Sequence, residues 1–462
     1  MSTKEWQVAI FGTFDVANYG DLLFPILAEA ALQKRLGAVR LRAFSYHSRS
    51  TPEWPYPVTS VSELPQFVDS LDGVLIGGGF IIRFDKVVAP DYFPPSPQIH
   101  HPTGYWLSPA LIALQHNVPL IWNAPGMHRN PIPCWAKPLV RLALEQSTHV
   151  RVRDALSANT LRELSEQVQV EVLPDTAFGL PELIDPQQPT PAYRRLCETA
   201  GLHGPYLVVH AINGLERFLH LWKTHSATFA RWQLLLLPIG PVLGDQESTL
   251  GTGLPRAVSL ATWPEPLLLA EILAHAQGVI GHSYHLAISA LAFGVPIFSS
   301  ADLSLGKYTA LREYRGVHAL PNGQAIDPQW FLQRLGTTQP CPRVSAAREQ
   351  VHRHWDRVAE LISQGPRSTS QALDRFWQAL PGLLEETHLD WREECLSKQA
   401  ELDELKVRLQ QLTDLQAQQQ ELIGQTSGEL ERMYSSSSYR ITAPLRSIRR
   451  GFRYLLRRWN RC

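Results

Sequence analysis

Two successive runs of alternating strand and helix patterns, parted by a proline-rich stretch, constrain this chain more than any other feature. In the first run, Gln7–Phe11, Val39–Phe44, Gly73–Ile76, Pro119–Trp122 and His149–Val152 read as short β-rich strands. Asp21–Leu36, Tyr105–His116, Cys134–Gln146 and Ala155–Glu166 read as helices between them. Strands that are apolar throughout, each followed by a helix, predict a parallel sheet covered on both faces. Pro181–Pro191 holds four prolines and reads as a linker. The pattern then restarts, with strands at Tyr206–Ala211, Trp232–Leu237, Gly278–Ile280 and Pro296–Phe298, and helices at Leu215–Phe229, Pro266–Ala276 and Tyr284–Phe293.

The fold class expected is therefore α/β: two Rossmann-like doubly wound domains, residues 1–185 and 192–385, facing a cleft that is the natural binding site. Helical residues Ala346–Leu380 trail the second domain, and the sequence does not decide which domain they cover. From Leu402 the pattern changes. Leu402, Leu405, Leu409, Leu412, Ile423, Leu430 and Met433 share the a and d positions of one heptad frame, with Gln416, Gln419 and Thr426 at the intervening sites. Residues 390–434 thus read as a coiled coil, which would make a homo-oligomer, or as a long amphipathic helix packed on the body.

The chain has 43 basic and 43 acidic residues, but the balance is uneven. Arg440 to Cys462 carries eight arginines and no acid, which leaves a mildly acidic body with a basic tail. That excludes a uniformly basic nucleic-acid binder, and no stacking fold accompanies the arginines, so nucleic acid is not expected as a partner. Within residues 435–462, Ile448, Phe452, Leu455, Leu456 and Trp459 alternate with arginines, a spacing suited to lying on an anionic membrane surface. No apolar run reaches the ~18 residues needed to span a bilayer. The start lacks the layout of a signal peptide, and five scattered cysteines suggest neither a disulfide framework nor a zinc site. A cytoplasmic protein, held peripherally at the inner membrane by its tail, is the expectation.

Four segments could carry chemistry. Asn18-Tyr-Gly20-Asp21 follows the first strand, where glycine permits a sharp turn and Asp21 suits a helix N-cap. Gly77-Gly78-Gly79 ends the third strand and allows close approach of a ligand. Arg151-Val-Arg153-Asp154 ends the fifth, where a guanidinium can take a carboxylate or phosphate by two parallel hydrogen bonds. Gly281-His282-Ser283-Tyr284-His285 joins strand to helix, and the polar cluster places His285 in the helix's first turn. His282 and His285 are three apart, but no carboxylate or Cys completes a ligand set, so no metal is expected.

Together, Asn18-Tyr-Gly-Asp21, Gly77–Gly79, Val152-Arg-Asp154 with Ser157, Asp175 in Pro-Asp-Thr-Ala-Phe178, and Ser283-Tyr-His285 with Gly294-Val-Pro296 resemble the polysaccharide pyruvyl transferase family, in order, over roughly residues 7–310. The resemblance implies a GT-B-like fold and transfer of a pyruvyl group from phosphoenolpyruvate to two hydroxyls of a sugar, forming a cyclic ketal, with no cofactor. It implies catalytic roles for Arg153 and His285. Lys307, Ser283, His282, Gly78 and Gly79 would meet the donor, and Asn18, Gly20 and Asp21 the acceptor, a lipid-linked or nascent surface glycan. His285, as imidazolium with a pKa near neutrality, would protonate the enol carbon. Arg153 would hold the donor's carboxylate or phosphate, and Lys307 a further oxygen. The Tyr439-Arg-Ile-Thr-Ala-Pro-Leu-Arg446 string looks like a terminal element of bacterial surface-polysaccharide enzymes. Two other readings stand beside this one. A nucleotide-sugar glycosyltransferase would use Glu265 as its nucleotide-recognition acid, and a non-catalytic scaffold would organise polysaccharide assembly.

Overall fold

The computed structural model describes residues 4–84, 106–127, 132–210, 215–239, 254–260, 263–321, 325–335, 341–365, 370–442 and 444. Two units emerge, residues 1–384 and 385–462. In the first, β1 (Trp6–Phe11), β2 (Val39–Ser45), β3 (Val58–Ser60), β4 (Gly73–Ile76), β5 (Leu120–Asn123), β6 (His149–Val152) and β7 (Glu171–Val172) form one sheet. Its order is β3-β2-β1-β4-β5-β6-β7, and each pairing between neighbours is parallel. A second parallel sheet takes β8 (Tyr206–Val209), β9 (Gln233–Leu236), β10 (Ala257–Ser259), β11 (Val279–Gly281), β12 (Ile297–Ser299) and β13 (Val317–Ala319) in the order β10-β9-β8-β11-β12-β13. Each sheet reverses direction once, between β1 and β4 and between β8 and β11, the switch points at which doubly wound sheets open a crevice.

The helices are α1 (Tyr19–Leu36), α2 (Leu107–Gln115), α3 (Lys137–Gln146), α4 (Ala155–Arg162), α5 (Pro191–Ala200), α6 (Glu216–Thr224), α7 (Pro266–His275), α8 (Tyr284–Ala292), α9 (Pro328–Leu332), α10 (Pro342–Gln364), α11 (Ser370–Ser435) and α12 (Ser437–Ile441). The four central strands β1, β4, β5 and β8 bury nearly every side chain, which is why they read as unbroken apolar runs rather than alternating ones. Pro181–Pro191 is more than a linker. Pro181 lies inside a 3-10 turn, Thr176–Glu182, that buries Phe178 and Leu180 in the core, and only the residues between that turn and α5 bridge the halves.

One apolar cluster joins the two sheets. It runs from Val8 and Leu75 through Leu23 and Leu27 of α1 to Leu286 and Ile288 of α8 and Val351 and Val358 of α10. Across this seam the Tyr19 hydroxyl donates to Ser289 Oγ at 2.8 Å, with both groups buried. The helices expected to trail the second domain return to the first. Arg35 of α1 bonds Asp356 at 2.7 Å, His354 of α10 meets Asn123 of β5 at 2.9 Å, and Leu373 and Phe376 of α11 enter the core of the first sheet with Trp106 and Val140. The reason is apolar burial: the second sheet's outer core closes around Trp222, Phe229 and Phe298 with α9's Phe331, leaving the first sheet as the surface these helices cover.

In the second unit, α11 from Glu385 to Ser435 and the short α12 are described. The helix over 402–433 expected from the heptads is present, and it continues upstream without a break through Pro381 to Ser370. The apolar and arginine residues of the tail at 448–459 lie outside the described residues. Among the described residues, no helix is long and apolar enough to cross a membrane.

The α10 contact carries a pH dependence. His354 is fully buried, and burial together with His149, Arg151 and Arg35 holds its pKa well below the usual 6.5. His149, stacked on it at 5.7 Å, is pushed down to about 4, chiefly by burial, with Arg151 adding and Glu171 opposing. Folded pKa values below the unfolded one mean that the unfolded chain takes up protons first, so this stability is complete above pH 6.5 and is lost as pH falls toward 4. Thermal denaturation should therefore show a falling midpoint over that window, and His354→Gln should flatten part of the fall; an unchanged slope in the variant would remove His354 from the explanation.

Candidate active site

The site is assembled from the ends of β6 and β11 and the turn after β7. Arg153 follows β6, and its backbone N–H bonds Pro125 O at 3.2 Å. Its guanidinium is 4% exposed and lies between two rings, 5.4 Å from the centroid of Phe80 and 4.9 Å from that of Tyr284. Both Nη atoms are buried without a hydrogen-bond partner. Asp154, the next residue, caps α4 by accepting from Ser157 N and Ser157 Oγ at 2.8 and 2.9 Å. Ser157 Oγ in turn accepts from Met127 N, so this serine holds loops together.

Asp175 is the junction. Its Oδ1 accepts from Ala177 N at 3.1 Å, capping the 3-10 turn, while Oδ2 faces Arg153 Nη1 and His285 Nε2 at 3.7 Å each. Those separations are too long for hydrogen bonds. Oδ2 and His285 Nε2 are likewise buried without partners. Burial raises the Asp175 carboxyl above its ordinary pKa, opposed by Arg153, the Ala177 amide and Lys307. His285 is held well below 6.5 by burial and then by the positive charges of Arg153 and Lys307. The near-neutral pKa expected from the sequence is thus corrected: burial and the two cations hold the ring well below it. Lys307, in the 3-10 turn Gly306–Glu313, is pushed down to about 8 by burial and Arg153, with Asp21 and Asp175 pulling the other way.

These groups border a cavity of about 670 Å³. Arg153, Asp175, Tyr284 and Lys307 line it together with Phe80 and Phe178, as do Leu156, Thr309, Arg343 and Gln350. Its size suits a small molecule plus part of a sugar, and its wall is apolar with a few charged groups converging. His285 is not among the lining residues and borders the cavity through Asp175, whose Oδ2 its Nε2 faces.

Other residues singled out in the sequence have different tasks. Asn18, not Asp21, is the N-cap of α1, its side chain accepting from Gly20 N at 3.2 Å. Gly20 is required by packing: a Cβ there would lie 2.0 Å from His285 Nδ1, so the imidazole rests on the bare backbone of α1. Gly79 has φ of +86°, and a Cβ there would meet Asp21 Oδ1 at 2.8 Å. Gly78 makes room for the Phe24 ring, which stands edge-on to His285 at 5.8 Å. Ser283 caps α8, accepting from Leu286 N at 3.3 Å. His282 stacks edge-on against Tyr308, its pKa lowered by burial, Lys307 and His210. Asn18, Gly20, Asp21, Gly78, Gly79, His282 and Ser283 therefore shape the seam around His285 without lining the cavity. Glu265 lines a separate groove with Tyr56 and Arg42, away from Arg153. Sequence reasoning missed Tyr284 and Phe80 as guanidinium-stacking rings, and it gave Asp175 no role; the Pro-Asp-Thr-Ala-Phe string was the available signal. Among the described residues, no three His, Cys, Asp or Glu are grouped to hold a metal ion.

No curated protein matches this chain. Among solved structures, UDP-GlcNAc 2-epimerase from Methanocaldococcus jannaschii is 10% identical, covers 78% of this chain and 100% of its own, and superposes with a TM-score of 0.48. The Neisseria meningitidis UDP-GlcNAc 2-epimerase bound to UDP-GlcNAc is 13% identical over 80% of this chain and 99% of its own, TM-score 0.44. The glycosyltransferase SnogD from Streptomyces nogalater is 14% identical over 81% and 100%, TM-score 0.37. The family model described as polysaccharide pyruvyl transferase matches residues 18–301, a stretch that contains Arg153, Asp175 and His285 and stops just short of Lys307. By that match, which spans more than half of the sequence, the chain belongs to the polysaccharide pyruvyl transferase family, a family of transferases.

Proposed function

We propose that this enzyme transfers a pyruvyl group from phosphoenolpyruvate to two hydroxyls of a sugar in a surface glycan, forming a cyclic ketal and releasing inorganic phosphate. The observation that carries the reading is the Arg153 guanidinium, buried beside two rings with neither Nη atom hydrogen-bonded, at the wall of a cavity that Lys307 also lines. A buried cation left without hydrogen-bond partners is costly unless an anion completes it, and a planar carboxylate or a phosphate suits its fork. Phosphoenolpyruvate offers both groups on three carbons, so Arg153 and Lys307 can each take one.

The chemistry then needs a proton at C3 of the enol, attack of one sugar hydroxyl at C2, and displacement of phosphate from C2 by the second hydroxyl. One proton is gained at carbon and one is lost from each hydroxyl; phosphate leaves with the C–O electron pair. The Asp175–His285 pair is suited to this traffic. Asp175 is raised and His285 lowered, which draws their proton affinities together. A bound anion offsets the positive charge of Arg153 and Lys307 that depresses His285, and so favours the protonated pair when the donor is in place. The 3.7 Å gap between Asp175 Oδ2 and His285 Nε2 would close on binding, as catalytic hydrogen bonds commonly do. The acceptor would lie along the same cavity by Leu156, Thr309 and Gln350, since Asn18, Gly20 and Asp21 are engaged in the seam. The basic tail, by its sequence, would hold the enzyme near a lipid-linked acceptor at an anionic membrane surface.

Three outcomes follow. Phosphate should appear from phosphoenolpyruvate only when a glycan with a suitable diol is present; a protein that binds a nucleotide-sugar and leaves phosphoenolpyruvate intact would contradict the reading. His285→Gln should cut turnover by a factor on the order of 10²–10⁴ while donor affinity changes little, and Arg153→Met should weaken donor binding at least tenfold in a chain that still melts cooperatively. Because Lys307 loses its charge as pH rises through about 8, kcat/KM should fall above that pH, and Lys307→Arg should carry the alkaline limb upward; a limb unmoved by that change would show that another group sets it.

A further inference from the structure

The stretch of α11 from Leu402 to Met433 is a continuous helix whose apolar residues have no cover. Leu402, Leu405, Leu409 and Leu412 are between 48 and 66% exposed, and Ile423, Leu430 and Met433 remain open too. Helices of this length owe most of their stability in water to packing of an apolar face. The surrounding side chains do not replace it: Lys406 pairs with Asp403 at 3.0 Å in an exposed i,i+3 contact, and Gln410 with Asp414 in an exposed i,i+4 one. With Leu402 at position a, the uncovered residues occupy a and d on one seam.

We propose that this seam is covered by the same segment of a second copy of the chain, in a parallel, in-register, two-stranded coiled coil. Three features select that occupant. First, every layer of the seam matches in parallel register: Gln416 and Gln419 meet their own counterparts, and a side-chain amide carries both donor and acceptor for such a pair. Thr426 likewise meets Thr426, and each leucine meets a leucine. An antiparallel pairing that sets Leu402 against Met433 leaves Leu409 facing Thr426. Second, Glu401 falls at g and Lys406 at e of the following heptad, the pair that bridges between parallel helices, with opposite charges. Third, one heptad upstream of Leu402 the a position is Cys395, exposed and unbridged. In the parallel arrangement Cys395 faces its counterpart; in the antiparallel one the two sulfurs lie about 65 Å apart at 1.5 Å per residue.

The full chain tests this directly. At tens of micromolar it should sediment as a dimer, and Leu405→Ser combined with Leu412→Ser should make it a monomer, with the thermal transition of residues 1–384 retained because those side chains are exposed on α11. Diamide should then oxidise the Cys395 pair, two thiols giving up two protons and two electrons to the reagent as one S–S bond forms. The covalent dimer should persist in Cys462→Ser and vanish in Cys395→Ser, while Cys395→Ser still sediments as a dimer. A full chain that sediments as a monomer or trimer, or a dimer whose cross-link is indifferent to Cys395, would overturn the proposal.

Discussion

The structure of the site depends on one carboxylate. Asp175, wholly buried, stands between a guanidinium delivered by the first sheet and an imidazole delivered by the second, 3.7 Å from each. A carboxylate cannot be buried alone, and neither can a guanidinium, so each requires the other; burial, and then the two nearby cations, hold the imidazole well below its ordinary pKa. That arrangement holds only if the two sheets approach closely enough for β6 and α8 to share a neighbour. The bare backbone at Gly20 permits it, because His285 rests where any side chain on α1 would stand. Packing at the seam and electrostatics at the site are therefore a single constraint.

That constraint also explains why the charges are left incomplete. The Ala177 amide occupies only one oxygen of Asp175, and Arg153 is pinned by ring stacking rather than by hydrogen bonds. Ring contacts of this kind restrain a guanidinium without using its N–H groups. On the proposed reading, the donor's anionic groups would complete the hydrogen bonding that these side chains leave open. Burial and the nearby Arg153 also make Lys307 a weak cation, pushed down to about 8.

Most of the fold could be read from the sequence because its signals are local. Gly73–Ile76 and His149–Val152 were bounded to the residue by apolar runs ending in turn residues, and the remaining central strands were placed within a residue or so. The edge strands β3, β7, β10 and β13 escaped notice: they are two or three residues long and half exposed, so neither length nor pattern marks them. Pro181 misled, since its 3-10 turn is anchored by Phe178 and Leu180 rather than by periodicity. The heptads of α11 were legible; its unbroken course through Pro381 was not, because a proline inside a helix is tolerated only where context allows.

At the site, residue identities were legible and their relations were not. Arg153 and His285 stood out as functional types at strand ends. The meeting of Arg153 with His285 at Asp175, and the contact of Arg153 with Tyr284, depend on segments over a hundred residues apart, as does the loss of basicity at His285. For the same reason Asp21 was taken for the cap that Asn18 provides: the two differ by three positions, and only the backbone geometry decides. The most direct test of the account is a crystal structure with phosphoenolpyruvate soaked or co-crystallised. It should place a carboxylate or phosphate of the donor on both Nη atoms of Arg153, with Asp175 and Lys307 around the enol. Density for the donor in any other groove, with Arg153 still unpartnered, would contradict it.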